Sequence, residues 1–301
     1  MFHGSVGKIS YPANDYLGSL EWKYFGQYAD SMLLLMLGGV PWQVYFQRVL
    51  SSRTVAGAEM LSYMAAMGCL VMAVPPVVIG AIAKAANFTE AGYGGTVPLT
   101  AETAPLTLPL VLQYLTPGFV SAMGLGAVSA AVMSSSDSSI LSAASMFAWN
   151  IYKMIFRQSA TEKEVLFVIR IAIVFVGILA CLLALTATSV YALWYLSSDL
   201  VYVILFPQLV SVVYLRDHCN TYGSLAGYIV GGFLRAGGGE DVLLIPPFIK
   251  YPFYNKDDGQ LFPFRTLAML MSFTTLMAVS KASRWLFGGR LPLKYDFLKC
   301  F

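Results

Sequence analysis

The chain has 301 residues, 57% of them hydrophobic and only 12% charged, with a formal net charge of +3 and a mean hydropathy of +0.67. A soluble domain carries about twice that charged fraction, so a soluble globular protein is excluded, and the small net charge gives no basis for nucleic-acid binding. The apolar residues come in blocks of about 20, the length at which a helix crosses a bilayer, so the chain is expected to be an all-α integral membrane protein with the lipid bilayer as its solvent. Four cysteines, Cys69, Cys181, Cys219 and Cys300, are too scattered for a disulfide framework or a metal motif. The two histidines, His3 and His218, stand alone and are given no role.

Residues 1–27 read as a polar, aromatic-spotted extracellular loop without the apolar core of a signal peptide. About seven transmembrane helices follow, at roughly 28–50, 56–83, 108–155, 164–187, 189–215, 220–236 and 264–287. The third is too long for one straight crossing. It is expected to hold a short surface helix before Pro117 and a cytoplasmic extension after about Ala148. The sixth is short and rich in glycine. A loop at about 237–263 is expected outside the membrane, and a short tail at 288–301 inside.

Breaks are expected where helix punctuation falls inside apolar sequence, at Gly38-Gly-Val-Pro41, at Pro75-Pro76 and at Pro207. A single proline more often makes a simple kink, but transporters use such breaks to expose carbonyls and helix ends to solute and ion. With the amino end outside, 12 of the 19 Lys and Arg residues fall on the inner side, which follows the positive-inside rule. The same orientation puts Asn87-Phe-Thr89 outside, where this glycosylation acceptor pattern is usable.

Ala130-Ala-Val-Met-Ser-Ser-Ser-Asp-Ser-Ser139 is polar sequence inside an apolar segment. At 100° per residue, Ala131, Ser134, Ser135, Ser138, Ser142 and Ser145 share one narrow helix face, with Asp137 at its edge. Two readings fit that stripe. One is a Na⁺ site, because hard cations take oxygen ligands. The other is a small-residue face for close helix packing, its hydroxyls bonded back to carbonyls one turn earlier. Asp137 favours function, since an ionisable group in a membrane helix needs a reason to be there. Trp42 directly follows the first break, and Trp194 and Tyr195 lie early in the fifth span. Indole faces attract quaternary ammonium groups, whereas tryptophan near a membrane boundary commonly anchors at the interface. Asp199 receives no role.

Three motifs carry a resemblance. Gly38-Gly-Val-Pro-Trp-Gln-Val-Tyr-Phe-Gln-Arg-Val-Leu50, Leu125-Gly-Ala-Val-Ser-Ala-Ala-Val-Met-Ser-Ser-Ser-Asp-Ser-Ser-Ile-Leu-Ser142 and Leu193-Trp-Tyr-Leu-Ser-Ser-Asp-Leu-Val-Tyr202 resemble choline-carrying members of the sodium/solute symporter family, and the likeness runs from about residue 28 to about 290. The family fold pairs two five-helix repeats of inverted topology. The resemblance implies that 28–215 is the second repeat, that 216–287 adds two terminal helices, and that the first repeat is missing, so the chain alone is expected not to transport. It implies Na⁺ binding by Ala131, Ser134 and Ser135, cation handling or coupling by Asp137, and choline binding by Trp42 and Trp194. It further implies dependence on Cl⁻, whose site these residues do not locate. The implied role is choline uptake across the plasma membrane of cholinergic nerve endings for acetylcholine synthesis. No catalytic constellation is present in the sequence, and no cofactor beyond Na⁺ and Cl⁻ is expected.

Alternatives remain open from the residues. One is a sodium symporter for another solute, against which stand the aromatic positions and the lack of an obvious anion-pairing Arg within the spans. Another is a seven-helix receptor, against which stand the missing Asp-Arg-Tyr and Asn-Pro-x-x-Tyr signatures. A third is a chain that associates with a full-length transporter, and self-association is left open.

Overall fold

The computed structural model describes residues 21–95, 103–186, 190–240, 245–255 and 258–288, and residues 292, 294, 296–298 and 300 near the carboxyl end. Most of the loop expected at 1–27 and most of the tail expected at 288–301 therefore lie outside the described residues. Among the described residues the chain is helical, with no strand longer than an isolated bridge; two such bridges pair Glu240 with Ile245 and Asn255 with Gly259. In chain order the α-helices are α1 (Phe25–Gly38), α2 (Gln43–Leu50), α3 (Val55–Ala85), α4 (Thr107–Leu115), α5 (Gly118–Met146), α6 (Glu162–Thr186), α7 (Val190–Leu200), α8 (Phe206–Tyr214), α9 (Thr221–Gly237) and α10 (Phe264–Phe287).

Four segments are long and apolar enough to cross a membrane: Val55–Ala85, Gly118–Phe156, Glu162–Leu185 and Tyr191–Tyr214. They match the second to fifth expected spans. The first expected span is split into α1 and α2. The sixth and seventh correspond to α9, which is short at 17 residues, and to α10, whose apolar face is interrupted by Ser, Thr and charged positions.

Contacts divide the chain into two units, one holding residues 43–190 and the other residues 19–42 with 191–301. In the first unit, Thr54 caps α3 by accepting a hydrogen bond from the Gly57 N–H, the usual relief for a helix start. The break expected at Pro75-Pro76 does not occur, and α3 runs through both prolines. A proline deletes one donor and crowds one carbonyl, which the flanking turns of a 31-residue helix can absorb. Pro117 does end one helix and begin another, dividing the third expected span into α4 and α5 as anticipated. Beyond Met146 the chain continues as a π-helix over Phe147–Phe156. Leu110, Val111 and Leu115 of α4 pack with Ala83 and Phe88 in one small core, and Ala148, Ala160 and Val165 form another. Along their most apolar stretches α3 and α5–π bury 0% of residues in this chain and α6 buries 11%.

The second unit is built differently. Leu34 of α1 meets Tyr202, Val203, Ala268 and Met269 in a core, and Tyr191–Tyr214 buries 39% of its apolar stretch. Pro207 sits in the first turn of α8, after π-helical turns at Val201–Leu205, so the wider turns accommodate it and no chain break results. α9 and α10 pack backbone to backbone. Gly223, Gly227 and Gly231 are buried at four-residue spacing against Ser272, Leu276 and Ser280, the small-residue device that lets membrane helices approach. A β-carbon at Gly223 would collide with Ser280 Oγ and the Leu276 carbonyl. Ser272 Oγ donates to the Gly227 carbonyl at 2.9 Å, and Asn220 Nδ2 donates to the Ser280 carbonyl at 3.1 Å.

Candidate ion and solute site

The serine stripe sits on α5 in the first unit. Ser129, Ser138, Ser139 and Ser145 donate to the carbonyls of Leu125, Ser134, Ser135 and Leu141, one turn back. These four follow the packing reading, in which a hydroxyl satisfies itself on its own helix. Ser134 and Ser135 do not: among the described residues neither hydroxyl has a hydrogen-bond partner, and Ala131, Ser134, Ser135 and Asp137 are all exposed. Ser142, on the same stripe, is buried with its Oγ unpaired. Arg48 of α2 donates to the Oγ of Ser138, the residue after Asp137, at 3.1 Å. Asp137 itself forms no ion pair among the described residues. The arrangement offers an exposed ridge of hydroxyls and one carboxylate on an otherwise apolar helix.

Trp42 closes the break between α1 and α2. Gly39 to Pro41 form a turn, and the backbone N–H of the half-buried Trp42 donates to the Gly39 carbonyl at 3.4 Å. Gly38, just before it, lies against the Ser198 carbonyl and Tyr202, where a β-carbon would come within 2.5 Å of oxygen. This is the one true helix break of the three expected. Trp194 is 48% exposed and tilts against Tyr191 with ring centroids 5.8 Å apart. Tyr191 stacks in turn on Tyr195 at 6.1 Å, and Tyr195 Oη shares a hydrogen bond with Ser31 at 2.9 Å. Among the described residues no ring contact joins Trp42 to Trp194. Asn87 is exposed in the turn after α3, held there by the buried side chain of Phe88.

Sequence reasoning missed a buried ion network in the second unit. It gave no role to Arg235, Arg265 or Asp199 and passed over Asp30. In the structure Asp199, 0% exposed, accepts on Oδ2 from Arg235 Nε and, at 3.0 Å, from Arg265 Nε. Arg235 also pairs with Glu240, and its Nη1 donates to the Gly239 carbonyl at 3.0 Å. Asp30 of α1 accepts from the Thr266 N–H at 2.7 Å, the Thr266 hydroxyl at 2.6 Å and the Arg265 N–H at 3.2 Å. One helix thus caps the first turn of another, and a carboxylate there suits the helix dipole. The signal available in sequence was Asp30 itself, an acid within the first apolar span. The supposed absence of a guanidinium inside the spans is corrected: Arg235 lies in the last turn of α9, 3% exposed and matched by carboxylates.

Comparison with known proteins adds to this geometry. The model of the sodium:solute symporter family matches residues 19–231. The chain is 58% identical over 297 residues to a Drosophila melanogaster protein named high-affinity choline transporter 1, covering 98% of this chain and 48% of that protein. It is 53% identical over 311 residues to the Caenorhabditis elegans protein of that name, covering 100% of this chain and 53% of the relative. Against the Homo sapiens high affinity choline transporter 1 it is 50% identical over 305 residues, covering 98% and 52%. The chain spans about half the length of the curated relatives it matches. The helical architecture, the membrane-length segments and this similarity across nearly every residue agree, and the chain belongs to the sodium:solute symporter family.

Proposed function

We propose that the chain forms the part of a Na⁺-coupled choline carrier that holds one wall of the ion site and aromatic surface for the solute. The observation that carries this reading is the pair of unpartnered hydroxyls, Ser134 and Ser135, on a membrane-length helix whose other serines satisfy themselves. Water in the bilayer is not available to them, so an ion or a partner helix must be. Ala131 adds its carbonyl to the Na⁺ site and Asp137 handles or couples the cation. Trp42, at the helix break, presents its indole to the trimethylammonium group, and Trp194 supplies a second face. A desolvated cation–π contact is worth roughly 2 kcal/mol. A carboxylate solute is disfavoured, because Arg235 and Arg265 are already engaged by carboxylates.

Transport follows alternating access. Membrane potential contributes roughly 2.3 kcal/mol per charge per 100 mV, and Na⁺ adds to that by binding the solute-accepting arrangement more tightly than the other. No covalent chemistry is involved. In this reading α9 and α10 also cross the membrane, the amino end faces outside, Asn87 is glycosylated, and Cl⁻ is required. The setting is the plasma membrane of cholinergic endings, where choline feeds acetylcholine synthesis.

The test replaces the matching half of the Drosophila relative with this chain and measures Na⁺-dependent choline uptake in cells that display the chimera at the surface. Uptake well above background is expected. Ser134→Ala with Ser135→Ala should raise the Na⁺ concentration for half-maximal uptake about fivefold, from a contact worth about 1 kcal/mol. A displayed chimera without uptake, or an unchanged Na⁺ dependence, would sink the proposal.

A further inference from the structure

We infer that the end of the second unit formed by α10 and the turn after α8 binds the phosphate headgroup of an anionic phospholipid in the cytoplasmic leaflet. The assignment of that leaflet rests on the orientation proposed above. A cavity of about 720 Å³ lies there, lined by His218, Met277, Ala278, Lys281 and Arg284. Its volume suits a phosphorylated headgroup with part of its glycerol.

The charges of this cavity differ from the paired cations of the same unit. Arg235 and Arg265 are spent on Asp199, Glu240 and Asp30, and Lys23 on Asp258. Lys281 and Arg284 are exposed, three residues apart on one face of α10, and form no ion pair or hydrogen bond from their side chains among the described residues. Two cations held one helical turn apart repel unless an anion lies between them. The acids that could serve are few. Asp296 is buried and accepts from Tyr222 Oη at 2.8 Å, and Asp217 lies on the three-residue turn Arg216–His218, flanked by its own Arg216 and His218.

The lining joins the apolar Met277 and Ala278 to the basic Lys281 and Arg284. A phosphate headgroup with the start of its acyl chains meets that mixture. Trp285, 58% exposed and next to Arg284, marks the same level on α10, since an indole at a helix end settles among headgroups. Basic pockets between helices on the cytoplasmic side suit phosphorylated lipid headgroups in this way.

Native mass spectrometry of the purified full chain in neutral detergent tests the site. The probes are short-chain phosphatidylinositol bisphosphate, short-chain phosphatidylcholine and free inositol trisphosphate. Retention of the phosphoinositide over phosphatidylcholine is expected. Lys281→Gln with Arg284→Gln should weaken that retention about 25-fold, at about fivefold per charge removed, while Arg53→Gln leaves it unchanged. Equal retention by the wild-type chain and the double variant overturns the proposal. So does a wild-type chain that does not prefer phosphoinositide to phosphatidylcholine, a reading that needs no variant to fold. Inositol trisphosphate bound as tightly as the lipid would make this a soluble-phosphate site and overturn the lipid assignment. Uptake is not measured, so failure of the choline reading and failure of this one are told apart.

Discussion

The two units treat polar groups in a membrane protein in opposite ways. The second gathers five of its charges inward: Asp30, Asp199, Arg235, Arg265 and Glu240 pair with one another between α1 and the ends of α7, α9 and α10. The first buries almost none of its apolar length and leaves Ser134, Ser135 and Asp137 facing out. A charge taken out of water is tolerable only with a partner. Where partners lie within the unit, the group holds the fold. Where they do not, the group waits for something else, and function is to be sought there. Burial and pairing together separate the two cases better than residue type does.

That contrast can be broken most directly at Arg235. Arg235→Ala leaves Asp199 buried with half its ion pairs, and should cost about 3–5 kcal/mol, read as a large fall in the thermal unfolding midpoint of the purified chain. Asp137→Asn, at an exposed and unpaired acid, should shift stability by no more than about 0.5 kcal/mol. Equal effects would erase the distinction between the units.

Smaller effects sharpen it. Trp42→Ala in the chimera should weaken choline about 30-fold, the loss of a contact worth roughly 2 kcal/mol, with little change in Na⁺ dependence. A parallel loss of both would assign Trp42 to folding of the break rather than to the solute. Between α9 and α10, Gly223→Val should destabilise by about 1–3 kcal/mol through overpacking. Gly68→Ala in α3, where nothing lies within 4 Å, should be neutral or slightly stabilising. Detergent unfolding assays on both variants decide this.

The smallest effect concerns the loop clasp of the second unit, in which Lys23 pairs with Asp258 and Tyr24 Oη donates to Asp258 at 2.8 Å. The hydrogen bonds from Lys23 and then Tyr24 hold the Asp258 carboxyl below the ordinary aspartate range, and the bond to Asp258 raises the Lys23 ammonium. The Asp258 contribution is present above the ordinary aspartate range and is lost as pH falls below it. The Lys23 contribution is present up to the ordinary lysine range and is lost as pH rises past it. Hydrogen exchange of residues 258–261 should therefore be flat near neutrality and rise, beyond its intrinsic pH dependence, at both extremes. Asp258→Asn should flatten the acid arm, and a wild-type acid arm already flat would remove the clasp.

The sequence by itself determined the lengths of the membrane helices, because hydrophobic runs of bilayer length are a local property. It also located the divided third span at Pro117 and the break before Trp42, because missing N–H groups and glycine freedom act within a few residues. It singled out Ser134, Ser135 and Asp137 as polar residues out of place. Only the tertiary structure decided which prolines matter: Pro75-Pro76 passes within a long helix, and Pro207 is taken up by π-helical turns. Only it joined Asp30 to Thr266 and Asp199 to Arg235, pairs separated by 236 and 36 positions. Electrostatic pairing acts through space, and nothing in a residue's neighbours along the chain records which distant charge will be brought to it.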